Sequence, residues 1–125
     1  MRTLVALALP LALLAGGTAG AAGGDPVKGK IVFARCMACH KVDKSGTNGL
    51  GPNLQGIVGR PVASIKGFNY SPALQKKGGK WTAPALDAYL ISPAKAVPGN
   101  KMIFMGLPNP DDRANLIAYL AAASK

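Results

Sequence analysis

Two cysteines and one histidine stand together in Arg35-Cys36-Met37-Ala38-Cys39-His40, and the chain has no other residue of either type. Two thiols separated by two residues and followed at once by an imidazole read as a c-type haem attachment site. On a helix-like turn both thiols can reach the vinyl groups on one side of a porphyrin and become thioethers, binding the cofactor covalently. The next side chain, His40, then falls under the iron and can give it a ring nitrogen. Other chemistries suit the spacing less well. A disulfide between Cys36 and Cys39 would close a very small loop, and a redox dithiol calls for a strand–helix alternation that this chain lacks. A structural zinc site takes about four ligands, more than these three side chains supply.

A haem held by histidine on one face needs either a ligand or an open position on the other. An open position allows small-ligand binding or peroxide chemistry, whereas a closed one favours electron transfer, and methionine there raises the potential. Met1 lies in the leader described below, and Met37 is inside the motif on the His40 side. Met102 and Met105 remain, in one loop well after the motif. Methionine is also a common core filler, so residue type alone leaves both candidates open.

Several elements must position these groups. Asp25-Pro26 opens a first helix, with aspartate as N-cap and proline at the first helical position. Val27, Ile31 and Ala34 recur at helical spacing, Val32 and Phe33 widen the apolar stripe, and the helix is expected to run into Cys36. Gly29 inside it is costly unless another backbone approaches closely there. Lys41 to Val62 is a glycine-rich loop in which Leu50, Leu54, Ile57 and Val58 are expected to seek burial. Ser71-Pro72 and Thr82-Ala83-Pro84 repeat the cap-then-proline pattern and open two short helices. The second is expected over Ala83 to Ile91, with Leu86, Tyr89 and Leu90 on one side, and stops before Pro93. Val97 to Met102 is a turn-rich loop. Asn109-Pro110-Asp111-Asp112 opens a last helix with two acids in its positive first turn, striped by Leu116, Ile117 and Leu120 and extended by Tyr119. The expected fold class is all-α: terminal helices, short helices between them, and long loops wrapped around a flat cofactor.

The chain is 125 residues long. Met1-Arg2, an apolar run from Leu4 to Ala15 and the small residues up to Ala22 form a secretory leader, with cleavage expected after Ala21 or Ala22. The rival, an uncleaved anchor, needs about 20 apolar residues, and Pro10 with Gly16-Gly17 weakens it. The expected organisation is therefore a cleaved leader over 1–22 and one domain over 23–125, placed in the periplasm. A domain this small has a marginal core of its own, and a buried porphyrin would supply apolar bulk. Fifteen basic residues face five aspartates and no glutamate, a net charge of +10, or +9 once Arg2 is removed. An exported protein seldom meets nucleic acid, so the charge points instead to acidic protein partners or peripheral contact with an anionic membrane.

From Asp25 to the C-terminus the sequence resembles the class I cytochromes c, mitochondrial and small bacterial, through a series of motifs in family order. Beyond Cys36-x-x-Cys39-His40, Gly51-Pro52-Asn53-Leu54 resembles the loop whose proline carbonyl receives the haem histidine's ring N–H. Val58-Gly59-Arg60 and Gly67-Phe68-Asn69-Tyr70 are similar to segments whose arginine and tyrosine lie near a haem propionate. By the same resemblance Trp81 bonds that propionate and Tyr89 stands beside the axial methionine. Val97-Pro98-Gly99-Asn100-Lys101-Met102-Ile103-Phe104 resembles the axial-methionine loop, which selects Met102 over Met105 and places Asn100 and Phe104 at the cofactor. Arg113 to Leu120 resembles the family's last helix, which crosses the first at its glycine.

Two departures stand out. Asn100 replaces the threonine of mitochondrial forms, which alters a hydrogen bond near the methionine. Pro108-Asn109 replaces a lysine pair, which makes the docking face less basic. The resemblance implies a class I cytochrome c fold, one haem c on Cys36 and Cys39, and axial ligation by His40 and Met102. It further implies a monomeric, soluble one-electron carrier, not an enzyme. Its donor would be a quinol-oxidising complex, and its acceptor a terminal oxidase or photosynthetic reaction centre. Lys95, Lys101, Lys41 and Arg35 are expected to surround the exposed haem edge. The alternative is a haem enzyme or small-ligand sensor with an exchangeable sixth ligand.

Overall fold

The computed structural model describes residues 23–124; the expected leader, residues 1–22, and Lys125 lie outside them. Five helices follow in order: α1 (Pro26–Phe33), α2 (Pro72–Lys77), α3 (Ala83–Ile91), α4 (Pro93–Ala96) and α5 (Pro110–Ala123). Four begin on proline and α3 carries Pro84 at its second position, and four are capped by the preceding side chain. Asp25 accepts from Val27 N–H, Ser71 from Leu74, Thr82 from Ala85, and Asn109 from Asp111 and Asp112. These caps satisfy donors that the first turn leaves free, and the fixed φ of proline suits the first helical position. The cap-then-proline sequences therefore mark the starts of α1, α2, α3 and α5. The single turn α4 goes beyond the sequence expectation, which ended at Ile91 and resumed as loop.

The core forms where α1 crosses α5. A Cβ on Gly29 would run into the Asn115 carbonyl, and one on Gly24 into that of Ala114, so the two glycines let the backbones meet. Phe33 packs its ring on Tyr119 at 5.4 Å between centroids. Leu116, Ile117 and Leu120 of α5 are almost fully buried and join Leu86, Tyr89 and Leu90 of α3.

Three expectations are corrected. α1 ends at Phe33 rather than at Cys36. The N–H groups of Ala34, Arg35 and Cys36 donate to carbonyls three residues back, at 3.2, 3.1 and 2.8 Å. This tightening is common at helix ends. The expected stripe of α1 also faces outward: Val27 and Ile31 are 74% and 73% exposed, and Ala34 is exposed. Gly29 must face α5, and residues two places either side of it lie roughly 200° around the helix. Val32 and Phe33, three and four places on, share its face and are buried. Finally, Leu50 is 83% exposed, while Ile57 is buried and Leu54 and Val58 are half-buried.

The loops are ordered by hydrogen bonds instead of ladders. Asn53, 3% exposed, donates through Nδ2 to the carbonyls of Asp43 (3.0 Å) and Thr47 (3.1 Å), and its N–H donates to Asn48. Gly51 N–H donates to the Cys39 carbonyl at 2.8 Å, which fastens this loop to the attachment motif. An isolated antiparallel bridge joins Pro61 to Lys80. Beside it Trp81 N–H donates to Arg60 (2.8 Å) and Gly59 N–H to Trp81 (2.7 Å), bringing Arg60 and Trp81 together.

Candidate functional site

A cavity of about 360 Å³ opens between α1, α3, α5 and the long loops. Its walls are mostly apolar, with Phe33, Leu54, Ile57, Leu86, Leu90 and Leu116 among them. The polar and sulfur-bearing groups that reach it include Cys36, Cys39, His40, Arg60, Tyr70, Trp81, Tyr89, Asn100 and Met102. Pro52 and Phe104 complete this set, so every sequence-predicted site residue lines one cavity.

Cys36 and Cys39 sit on the turns that continue α1, and His40 N–H donates back to the Cys36 carbonyl at 2.9 Å. Neither cysteine is paired in a disulfide. Burial pushes the Cys36 thiol up to about 11, an effect that Arg35 offsets in part. His40 Nδ1 lies 2.8 Å from the Pro52 carbonyl oxygen. That oxygen can only accept, so Nδ1 carries the proton and Nε2 keeps its lone pair. Burial holds the imidazole below its ordinary value, ahead of the opposing effect of the Pro52 bond. Gly51 lies flat beneath the ring, where a Cβ would strike Cε1.

On the far side of the bridge, Arg60 Nη1 donates to the Asn53 and Gln55 carbonyls at 3.1 and 3.0 Å. Its Nε is buried without a partner. Tyr70, 7% exposed, accepts Ile65 N–H on its phenol oxygen at 3.1 Å, leaving its own O–H to donate. Trp81 and Tyr89 pack ring to ring at 4.8 Å, and Lys77 Nζ lies 5.6 Å from the Trp81 centroid.

From Lys101 to Gly106 exposed and part-buried residues alternate. This is the two-residue period of an extended chain. Met102 and Phe104 turn inward, whereas Ile103 and Met105 are 102% and 94% exposed. Met102 lines the cavity and Met105 does not. Their odd spacing puts them on opposite faces, a signal present in the sequence that residue type alone passes over. Of the four expected cationic residues at the mouth, Arg35 and Lys101 line the cavity, with exposed Leu50 and Ile103. Lys41 lines a separate shallow groove with Lys30 and Met37, and Lys95 lines neither. Sequence reading also missed Arg113. It is 8% exposed, pairs with Asp87 on α3 at 2.7 Å, and donates to the Leu107 and Pro108 carbonyls.

These features fit a porphyrin. The walls match a flat apolar body, the thiols and Nε2 suit covalent and metal attachment, and the orphaned Arg60 Nε wants an anion. Such a fold and site define a haem-binding class of small all-α proteins. A family model described as Cytochrome c matches residues 26–124. Cytochrome c2 of Rhodomicrobium vannielii is 49% identical over 100 residues, covering 80% of each chain. Cytochrome c 2.1 of Caenorhabditis elegans is 46% identical over 102 residues, covering 81% of this chain and 91% of that one. The solved structure of cytochrome cH from Methylobacterium extorquens has a TM-score of 0.74 at 41% identity, covering 79% of this chain and 99% of that one. The chain belongs to the cytochrome c family, in its class I monohaem branch, and carries one haem c on Cys36 and Cys39.

Proposed function

We propose that this protein is a periplasmic one-electron carrier, matured by removal of residues 1–22, with His40 and Met102 as the axial ligands of its haem iron. The bound haem supplies the chemistry, one electron gained and one lost at iron. The chain's own residues govern how easily that happens. Pro52 fixes the His40 ring and its tautomer, so the neutral ring presents Nε2 unprotonated. Leucine and aromatic walls exclude water and lower the local dielectric, and with a methionine ligand this raises the potential. Arg60, Tyr70 and Trp81 offer donors to the propionates. Arg35 and Lys101, with Leu50 and Ile103, form a mouth where an acidic redox partner can dock. A quinol-oxidising complex as donor and an oxidase or reaction centre as acceptor suit this monomer.

The observation that carries the reading is the shared cavity: half-buried Met102 and Nδ1-anchored His40 line the same apolar space. A closed iron carries electrons, whereas an open one would make the protein a ligand sensor or enzyme. The test uses the holoprotein. Met102→Ala is expected to lower the potential and admit cyanide or carbon monoxide, and Met105→Leu to do neither. Equal access of carbon monoxide to the wild-type protein would favour the sensor instead.

A further inference from the structure

The segment Val97 to Leu107 carries Met102 with no helix or strand of its own. Its far end is pinned where Leu107 N–H donates to the Leu90 carbonyl at 2.8 Å, and Gly106 lies too close to the Ile91 carbonyl to bear a side chain. Between Lys101 and Gly106, among the described residues, only Met102 N–H finds a hydrogen-bond acceptor. That acceptor is Asn100 Oδ1, at 2.8 Å. The other end of the same amide is held as firmly. Asn100 Nδ2 donates to the Pro93 carbonyl at 2.8 Å and to the Val97 carbonyl at 2.9 Å. Its backbone N–H donates to Val97 as well, at 3.1 Å. Pro93 is fully buried and Val97 is 6% exposed, so the anchor points are core and cannot drift.

We propose that Asn100 is the positioning residue for Met102. Its planar amide links the α4 turn to the Met102 backbone and so sets where the thioether is presented. The proposal rests on the reading of Met102 as an iron ligand. Few side chains can do this. The geometry uses both amide N–H donors' nitrogen and the oxygen at once, across a rigid plane. Threonine brings one hydroxyl and cannot span both ends. Aspartate keeps the acceptor for Met102 N–H but turns a second oxygen toward the Pro93 and Val97 carbonyls, where oxygen meets oxygen. Alanine removes all three side-chain bonds and keeps only the backbone one to Val97. In each case the loop ending at Met102 gains freedom while the cavity walls stay in place.

The experiment compares holoprotein variants Asn100→Asp, Asn100→Ala and Asn100→Thr with wild type. Tyr119→Leu serves as a control, because it weakens the α1–α5 contact without touching the cavity. Three quantities are read: the weak red band that marks sulfur–iron ligation, the affinity for added imidazole, and the denaturant midpoint. Asn100→Asp and Asn100→Ala are expected to bind imidazole at least about tenfold more tightly than wild type, the scale of one or two lost hydrogen bonds. Asn100→Thr is expected to fall between, and it carries the test if the harsher variants fail to mature. Tyr119→Leu is expected to lower the midpoint while leaving imidazole affinity unchanged. Imidazole affinities within about twofold of wild type, or rising only in step with lost stability as in Tyr119→Leu, would overturn the assignment. A wild type without the red band would overturn the ligand reading and this one together; a wild type with it isolates Asn100.

Discussion

Tyr89 is a buried phenol of the cavity wall, packed on Trp81 and 8% exposed. Burial pushes it up to about 12 from an ordinary 10.0. The neutral phenol is therefore favoured by folding. The unfolded chain gives up this proton near pH 10, and the folded one keeps it until about pH 12. The stabilisation is complete below pH 10 and is lost as pH rises through that window. Tyr89→Phe is expected to remove this component: its denaturant midpoint should fall less than that of wild type between about pH 8 and about pH 11. Parallel falls would show that the phenol ionises alike in both states. At this scale legibility followed the reach of the chemistry. Cys36, Cys39 and His40 act through their own neighbours, so their spacing was enough. Asn100 and Arg113 act on carbonyls of other elements, and no local pattern announces which carbonyls will come within reach.

Elements were legible at their starts, and α3 and α5 in their buried faces as well, but α1 was not legible in its orientation. Cap-plus-proline pairs are chemistry of adjacent residues, and they fixed the starts of α1, α2, α3 and α5. The outward face of α1 was misread because the choice lies with α5. A lone helix would bury Val27, Ile31 and Ala34 as readily as Val32, Phe33 and Cys36. Backbone contact at Gly29 decides between them, since only a residue without Cβ can face Asn115. Gly29→Ala tests this directly. In an exposed helix interior the change would stabilise by about 1 kcal/mol through propensity. Here the new methyl meets backbone, which cannot step aside, and overpacking of that kind costs about 1–3 kcal/mol or more. Denaturant unfolding of the holoprotein should therefore show a loss, and a gain would mean that α1 and α5 do not cross at this residue.

For the whole molecule the question is whether the charge of +10 acts as a bulk property or at one place. A bulk effect would make all exposed lysines equivalent. The structure makes them unequal. Lys101 lines the cavity mouth, where its Nζ donates to the Asn69 carbonyl at 3.3 Å, and exposed Leu50 and Ile103 lie on the same rim. Arg35 shares the rim but is partly answered by Asp112 at 3.7 Å. Lys28 lies on α1 and lines no part of the cavity. Steering by Lys101 would be felt over about 8 Å at physiological ionic strength and further in dilute buffer. Lys101→Gln is thus expected to slow electron transfer to an isolated oxidase or reaction centre several-fold at low salt, while Lys28→Gln leaves it nearly unchanged. The gap should close as salt rises. A rate should nonetheless persist at high salt, because the apolar rim of Leu50 and Ile103 is not screened, and Leu50→Ser should lower that residual rate. Equal slowing by Lys101→Gln and Lys28→Gln would return the charge to a bulk role and remove the docking mouth from the account, leaving the haem site untouched.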